Sequence, residues 1–229
     1  MASATRGATR VGRRRRWTPS RWLGLVLLLV GLGILGWAGW QFFGTNVAAR
    51  KAASQETQTL RSQWQAAGKP AASGNPTAAP VAGGDGMALL WIPDLGASYE
   101  WPILAGTDAE VLGKGVGWYE KSARPGQVGN FAIAGHRVTH GEPFRRLLEL
   151  RKGSEVVVET REATYTYLLD NAPSELTVQD TDGWVLDPVP GKPSATPNRA
   201  LITLTTCQDL FHSPDRSVAF GHLVKTEPK

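Results

Sequence analysis

At 229 residues the chain is long enough for one domain of moderate size plus accessory segments. Its formal net charge is +5, yet residues 1–86 carry 11 Lys+Arg against 2 Asp+Glu, whereas residues 87–229 carry 14 against 18. The basic excess therefore belongs to the N-terminal part and the remainder is mildly acidic, which argues against a nucleic-acid binder that would need its basic patch on a folded surface.

Residues 1–21 hold seven arginines and no acid, and residues 22–43 hold no charge at all. As a helix the uncharged stretch would be roughly 33 Å long, enough to cross a bilayer hydrocarbon core of roughly 30 Å. Trp22 at one end and Trp37 and Trp40 near the other suit interfacial aromatic belts. The arginine cluster predicts a cytoplasmic N-terminus, with everything after residue 43 outside the membrane. The apolar run is too long for a cleaved signal peptide, and "NVAAR" is a poor cleavage site.

Residues 44–67 are polar and alanine-rich with no helix breaker after Gly44, and predict a short extracytoplasmic helix. Residues 68–86, "GKPAASGNPTAAPVAGGDG", read as a flexible linker. From residue 87 to 229 the pattern turns to short β-like runs: "MALLWIP", "YEWPILAG", "NFAIAGH", "SEVVVET", "ATYTYLLD", "ALITLTTC" and "RSVAFGHLV". Residues 143–150, "PFRRLLEL", predict one helix, and "TDAEVLG" a further helical turn capped by Thr107 or Asp108. Seven or eight short strands with so little helix indicate an all-β barrel or sandwich.

Cys207, the only cysteine, ends the run "ALITLTTC". On a regular strand Leu201, Thr203, Thr205 and Cys207 share one face and Ile202 and Leu204 the other, the more apolar side being the core side. Unpaired within the chain, Cys207 reads as a reactive thiol, half of an intermolecular bridge or a small buried hydrophobe, and an idle thiol outside the cell is a liability because it is open to oxidation. A reactive thiol needs a base or a cation beside it. The four histidines, His136, His140, His212 and His222, are all candidates, and spacing favours His136 only slightly. The HxxxH pair His136/His140 lacks the helical context and acidic residue of a zinc motif. Arg216, nine residues after the cysteine at the start of the last strand, is a permanent cation able to stabilise a thiolate or an oxyanion.

The segments "NFAIAGHRVTHGEPFRRLLEL" and "LITLTTCQDLFHSPDRSVAFGHL" together resemble a sortase, over roughly residues 87–225, and most of all the class E housekeeping sortases of actinobacteria. The resemblance implies an eight-stranded sortase-type β-barrel with one or two short helices, preceded by a single transmembrane helix. It implies a catalytic His136, Cys207 and Arg216, with Thr206 in substrate binding. Residues 176–200 should then include a loop flanking the substrate groove, where Trp184 is a candidate groove residue, either as an exposed clamp or as a buried plug. The implied reaction cleaves an LPXTG- or LAXTG-type sorting signal of a secreted protein between Thr and Gly. It proceeds through a Cys thioacyl intermediate to the amine of a cell-wall precursor of the lipid II type. One amide is exchanged for another, so no cofactor or metal is implied. Calcium-binding loops of some relatives are not carried over, because the acids here are scattered.

Three other readings compete. A pilin-polymerising sortase would often carry an Asp-Pro-aromatic lid signature, which residues 44–86 lack. A non-catalytic β-barrel adhesion module would leave Cys207 unreactive. A cysteine L,D-transpeptidase resembles "SHGC" rather than the "LTTCQD" found here.

Overall fold

The computed structural model describes residues 19–40, 44–68, 81–207 and 213–229, with Cys207 at the level of its backbone. The expected linker lies mostly outside these described residues.

The apolar stretch forms α1, Pro19–Gly39, whose 21 residues are long and apolar enough to cross a membrane. It begins three residues before the expected span. Polar residues after Gly44 form α2, Thr45–Ala66. This helix buries one thin stripe, Ala49, Ala53 and Leu60, against the first two strands of the sheet. Alanines at that spacing let the helix axis approach closely, and Arg61 ties it further through ion pairs to Glu100 and Glu159.

Nine strands follow: β1 (Gly86–Trp91), β2 (Glu100–Ala105), β3 (Val116–Trp118), β4 (Gly129–Ala134), β5 (Glu155–Glu159), β6 (Ala163–Leu169), β7 (Thr177–Gln179), β8 (Ala200–Cys207) and β9 (Asp215–Pro228). Eight of them close into a ring in the order β6-β5-β1-β2-β3-β4-β8-β9, sealed by β9 pairing back onto β6. This is the expected eight-stranded barrel, and closure removes the exposed edges of an open sheet. β7 is a short ninth strand laid against the start of β9. The pairs β2/β3 and β4/β8 are parallel and the others antiparallel. Alternating residues fill the interior: Leu90, Ile103, Phe131, Ile133, Ile202 and Leu204 all belong to one core cluster. Tyr167 is buried among them, and its hydroxyl accepts from the Gly126 amide at 2.7 Å, so its polar end is satisfied.

Two strands escape the sequence reading. β3 and β7 are three residues each, too short to display an alternation. A third difference concerns residues 143–150, which are turns ending in a single 3-10 turn, Leu147–Glu149. Phe144, Leu147 and Leu150 recur every third residue, which suits three residues per turn, and all three are buried. The Pro143 carbonyl also accepts from the Tyr99 hydroxyl at 2.9 Å, an alternative to a helical partner. The predicted turn of helix is α3, Ala109–Leu112, with Asp108 as its cap, accepting from the amides of Glu110 and Val111.

Candidate active site

Strands β4, β8 and β9 are neighbours in the ring, and their register builds the site. In the parallel pair, Phe131 lies beside Ile202 and Ile133 beside Leu204, all facing inward, while Ala132 and Ala134 lie beside Thr203 and Thr205 on the outward face. The pairing runs on past Ala134, the last residue of β4. The Gly135 amide donates to the Thr205 carbonyl at 3.2 Å, and the Thr206 hydroxyl donates to the Gly135 carbonyl at 2.8 Å. His136 is the next residue after this last contact, as Cys207 is the next after Thr206. On the other side of β8, Cys207 is paired with Arg216 of β9. Cys207 and Arg216 are thus level across β8 and β9, and His136 follows the end of β4, which pairs with β8 on its other side. With about 4.8 Å between adjacent strands, the backbone of Arg216 lies about that far from that of Cys207.

The same register bears on the histidines among which spacing favoured His136 only slightly. His222 lies opposite Leu201, six residues along β8 from Cys207 and about 20 Å away, and is bonded to Asp170. His212 lies outside the described residues.

His136 follows β4 by two residues, so the strand end is slightly earlier than expected. Its carbonyl accepts from the Phe144 amide at 2.9 Å, closing a loop over residues 136–144. Gly135 permits this closure, since a Cβ there would stand 2.7 Å from the Phe144 ring. Within the loop, His140 stacks on His136 with 4.8 Å between ring centroids. His140, Gly141 and Glu142 have φ of +54°, +84° and +58°, and the first and third are the only described non-glycine residues with positive φ. Each costs about 1–3 kcal/mol, which the contacts around it must offset.

Burial, and after it the neighbouring His140, lower the His136 imidazole from its ordinary 6.5 to about 4. At neutral pH the resting ring is therefore uncharged, a base rather than a charged partner. The unfolded chain binds the proton more readily than the fold does between those two values. Stability contributed by the neutral ring is full above 6.5 and is lost as pH falls toward 4. The melting temperature of the parent should drop more across that window than that of His136→Gln, measured in parallel buffers.

The Arg216 side chain is 29% exposed. One terminal nitrogen donates to the carbonyls of Ser213 and Asp215 at 2.5 and 3.1 Å, and the other lies 3.6 Å from Asp180. A guanidinium has five N–H donors, so these anchors leave others for a ligand. Thr206 is 2% exposed and inward-facing, with its hydroxyl on the Gly135 carbonyl, so it joins β4 to β8 rather than lining the outward face.

Trp184 is 37% exposed, in a 3-10 turn at Gly183–Leu186. Its ring lies 6.0 Å from Phe220, at the edge of a second small apolar cluster of Val178, Val185 and Val218 on the outer face of β9. Asn130 and Thr203 hold this segment down. The Asn130 amide donates to the carbonyls of Val185 and Asp187 at 3.0 and 3.1 Å and its oxygen accepts from Thr203 at 2.7 Å. Leaving such buried groups unpaired would cost about 1–3 kcal/mol each. Nearby, the Tyr119 hydroxyl is 3.5 Å from that of Thr205, on the outward face two residues before Cys207. A cleft of about 280 Å³ opens there between Tyr119 and Ser122 on one side and Leu186 on the other. Asn130, Thr203 and Tyr119 are parts of this region that the sequence reading did not assign to it.

Residues 90–224 match the family model of the sortase domain. The chain is 35% identical over 222 residues to sortase SrtE1 of Streptomyces coelicolor, covering 92% of this chain but only 58% of that relative. It is 31% identical over 230 residues to sortase SrtE2 of the same organism, covering 97% of this chain and 88% of the relative. Among solved structures, sortase E from Streptomyces avermitilis is 41% identical with a TM-score of 0.58, covering 64% of this chain and 93% of the other. The structure of sortase E1 from Streptomyces coelicolor with a tripeptide in the active site is 36% identical with a TM-score of 0.55, covering 65% and 94%. On the match over residues 90–224, and on relatives that extend it across nearly the whole chain, this protein belongs to the sortase family, whose members are cysteine transpeptidases, and within it is most similar to the E-type sortases.

Proposed function

We propose that this chain is a membrane-anchored transpeptidase that joins secreted proteins to a cell-wall precursor, with Cys207 as nucleophile, His136 as proton carrier and Arg216 as oxyanion donor. The observation that supports the proposal is the register that pairs Cys207 with Arg216 across β8 and β9 and runs the end of β4, just before His136, alongside β8. The tripeptide in the active site of the S. coelicolor relative supports a peptide as the substrate.

The signal peptide, of the LPXTG or LAXTG type, lies extended along the outward face of β4 and β8. The Cys207 sulfur attacks the Thr carbonyl carbon while the neutral imidazole of His136 takes the thiol proton. The carbonyl electrons move to oxygen, where free N–H donors of Arg216 hold the developing charge. As the C–N bond breaks, His136 returns its proton to the departing glycine amine, leaving a thioester on Cys207. The acceptor amine then attacks the thioester carbonyl, His136 accepts its proton, and as the C–S bond breaks the Cys207 thiolate leaves and takes that proton back from His136. A thioester has weaker resonance stabilisation than an ester, so an amine competes with water for it. Thr206 supports this site by keeping β4 and β8 in register, and Trp184 borders the groove.

In this reading residues 1–21 are a cytoplasmic tail, 22–43 the anchor, 44–86 an extracytoplasmic helix and linker, and 87–229 the catalytic barrel. The test is transfer by the detergent-solubilised full chain of an LAXTG or LPXTG peptide onto an amine acceptor, followed by mass spectrometry. The expected product ends in Thr joined to the acceptor, with a free glycine amine on the released fragment. Intact peptide after prolonged incubation, with hydroxylamine as well as cell-wall amines, would refute the reading.

A further inference from the structure

We infer that Asn46, on the first turn of α2, is a positioning residue for the catalytic histidine, so that the segment directly after the apolar helix is a working part of the site. The inference rests on the reading of His136 as the catalytic imidazole.

Asn46 makes two hydrogen bonds to a loop 95 and 96 positions away. Its oxygen accepts from the Gly141 amide at 2.9 Å, and its nitrogen donates to a Glu142 carboxylate oxygen at 2.9 Å. A backbone amide can only donate and a carboxylate only accept, so the pair of contacts demands one acceptor and one donor on the same short side chain. Among side chains of that length only asparagine has both in that arrangement. The contacts fall on Gly141 and Glu142, two of three successive residues with left-handed backbone, the first being His140. They are therefore placed where the loop is under strain and most needs an outside tie.

Packing agrees with the hydrogen bonds. Gly141 is pressed against Trp101 and Ala49, the latter one helical turn after Asn46, and any side chain there would collide with Trp101. Glu142 is almost fully buried and is also paired with Arg145 at 2.6 Å. The loop is tied at its far end by Tyr99 on the Pro143 carbonyl and by Phe144 on His136. Asn46 fixes the stretch between, and that stretch carries His140, whose ring lies on His136. The chain of contacts from α2 to the imidazole is thus Asn46, Gly141–Glu142, His140, His136.

The charge logic supplies the test. Asn46→Asp keeps an acceptor for the Gly141 amide but sets a second carboxylate against Glu142. Glu142→Gln restores a donor to face it. In the full-length protein, Asn46→Asp should lower kcat for peptide transfer about 10- to 100-fold, as expected for a displaced catalytic group, with KM for the signal peptide within about 2-fold. In a Glu142→Gln background the same substitution should cost far less. A second readout does not depend on activity: the NMR titration of His136. The ionisable group that acts on it is His140, with Arg137 its chain neighbour, and Cys207 and Arg216 lie at the end of β8 and the start of β9. Release of His140 should move the His136 midpoint upward toward the ordinary value in Asn46→Asp and back in the double variant. An Asn46→Asp penalty of equal size in both backgrounds, or an unmoved His136 titration, overturns the inference. If the parent transfers no peptide, the reading of the site fails while the titration still decides the role of Asn46.

Discussion

Replacing Cys207 by Ala is expected to cut peptide transfer at least about 10³-fold, to the background rate, because every bond made to the substrate carbonyl passes through its sulfur. The fold should survive. Cys207 ends β8, and the strand is held by Ile202 and Leu204 in the core and by the Thr206 bond to Gly135. Cys207→Ser should be nearly as inactive, since a hydroxyl is far less ionised than a thiol and His136 is a weak base once lowered to about 4. Transfer assays beside circular dichroism check both points. An unchanged spectrum with lost turnover fits a nucleophile, and retained turnover in Cys207→Ala would exclude one.

Arg216→Lys is expected to lower kcat about 10²- to 10³-fold, the usual result of removing an oxyanion donor, while KM changes little. Charge alone would predict a mild effect, because lysine is also a cation. The structure argues otherwise. Two carbonyls, of Ser213 and Asp215, hold one terminal nitrogen of Arg216, and the rigid planar fork carries the remaining N–H groups to one side of that anchor. A lysine has a single nitrogen and must either keep the carbonyls or reach the substrate. Steady-state kinetics on the purified variant measure the effect, and a lysine enzyme with more than a tenth of parental kcat would remove Arg216 from the oxyanion role. Asp180, 3.6 Å from the guanidinium, offsets part of its charge and aligns it across the start of β9.

How far residues could be placed without coordinates depended on whether their partners were near in the chain. The long strands carry their own signal: in "ALITLTTC" the apolar positions Ile202 and Leu204 alternate with threonines, and both are core residues. Thr203 and Thr205, on the other face, are buried as well, because Val185 and Tyr119 cover them, and alternation within one strand cannot announce a cover supplied from elsewhere. The helix expected at 143–150 failed for a related reason. Its apolar spacing is compatible with either helix type, and hydrogen bonds from Tyr99 and Phe144 decide between them. The family resemblance settles the choice of His136 among the histidines, which spacing favours only slightly. The physical distinction is a register between β4 and β8, two strands about 70 residues apart in the chain. Asn46 and Asn130 carried no signal at all. An asparagine on a polar helix and another at a strand start are unremarkable until their partners, across 95 and 55 residues, are seen.

The reading of the barrel end as a cysteine acyl-transfer site is tested most directly by trapping the intermediate. Full-length enzyme is mixed with a sorting-signal peptide without an acceptor amine, quenched in acid within seconds and digested for mass mapping. The peptide fragment up to its Thr should appear as a hydroxylamine-labile adduct on the segment containing Cys207, and Arg216→Lys should accumulate it more slowly. Turnover of the signal peptide with no adduct on Cys207, or with the adduct on another residue, would contradict the arrangement of His136, Cys207 and Arg216 as the reacting group.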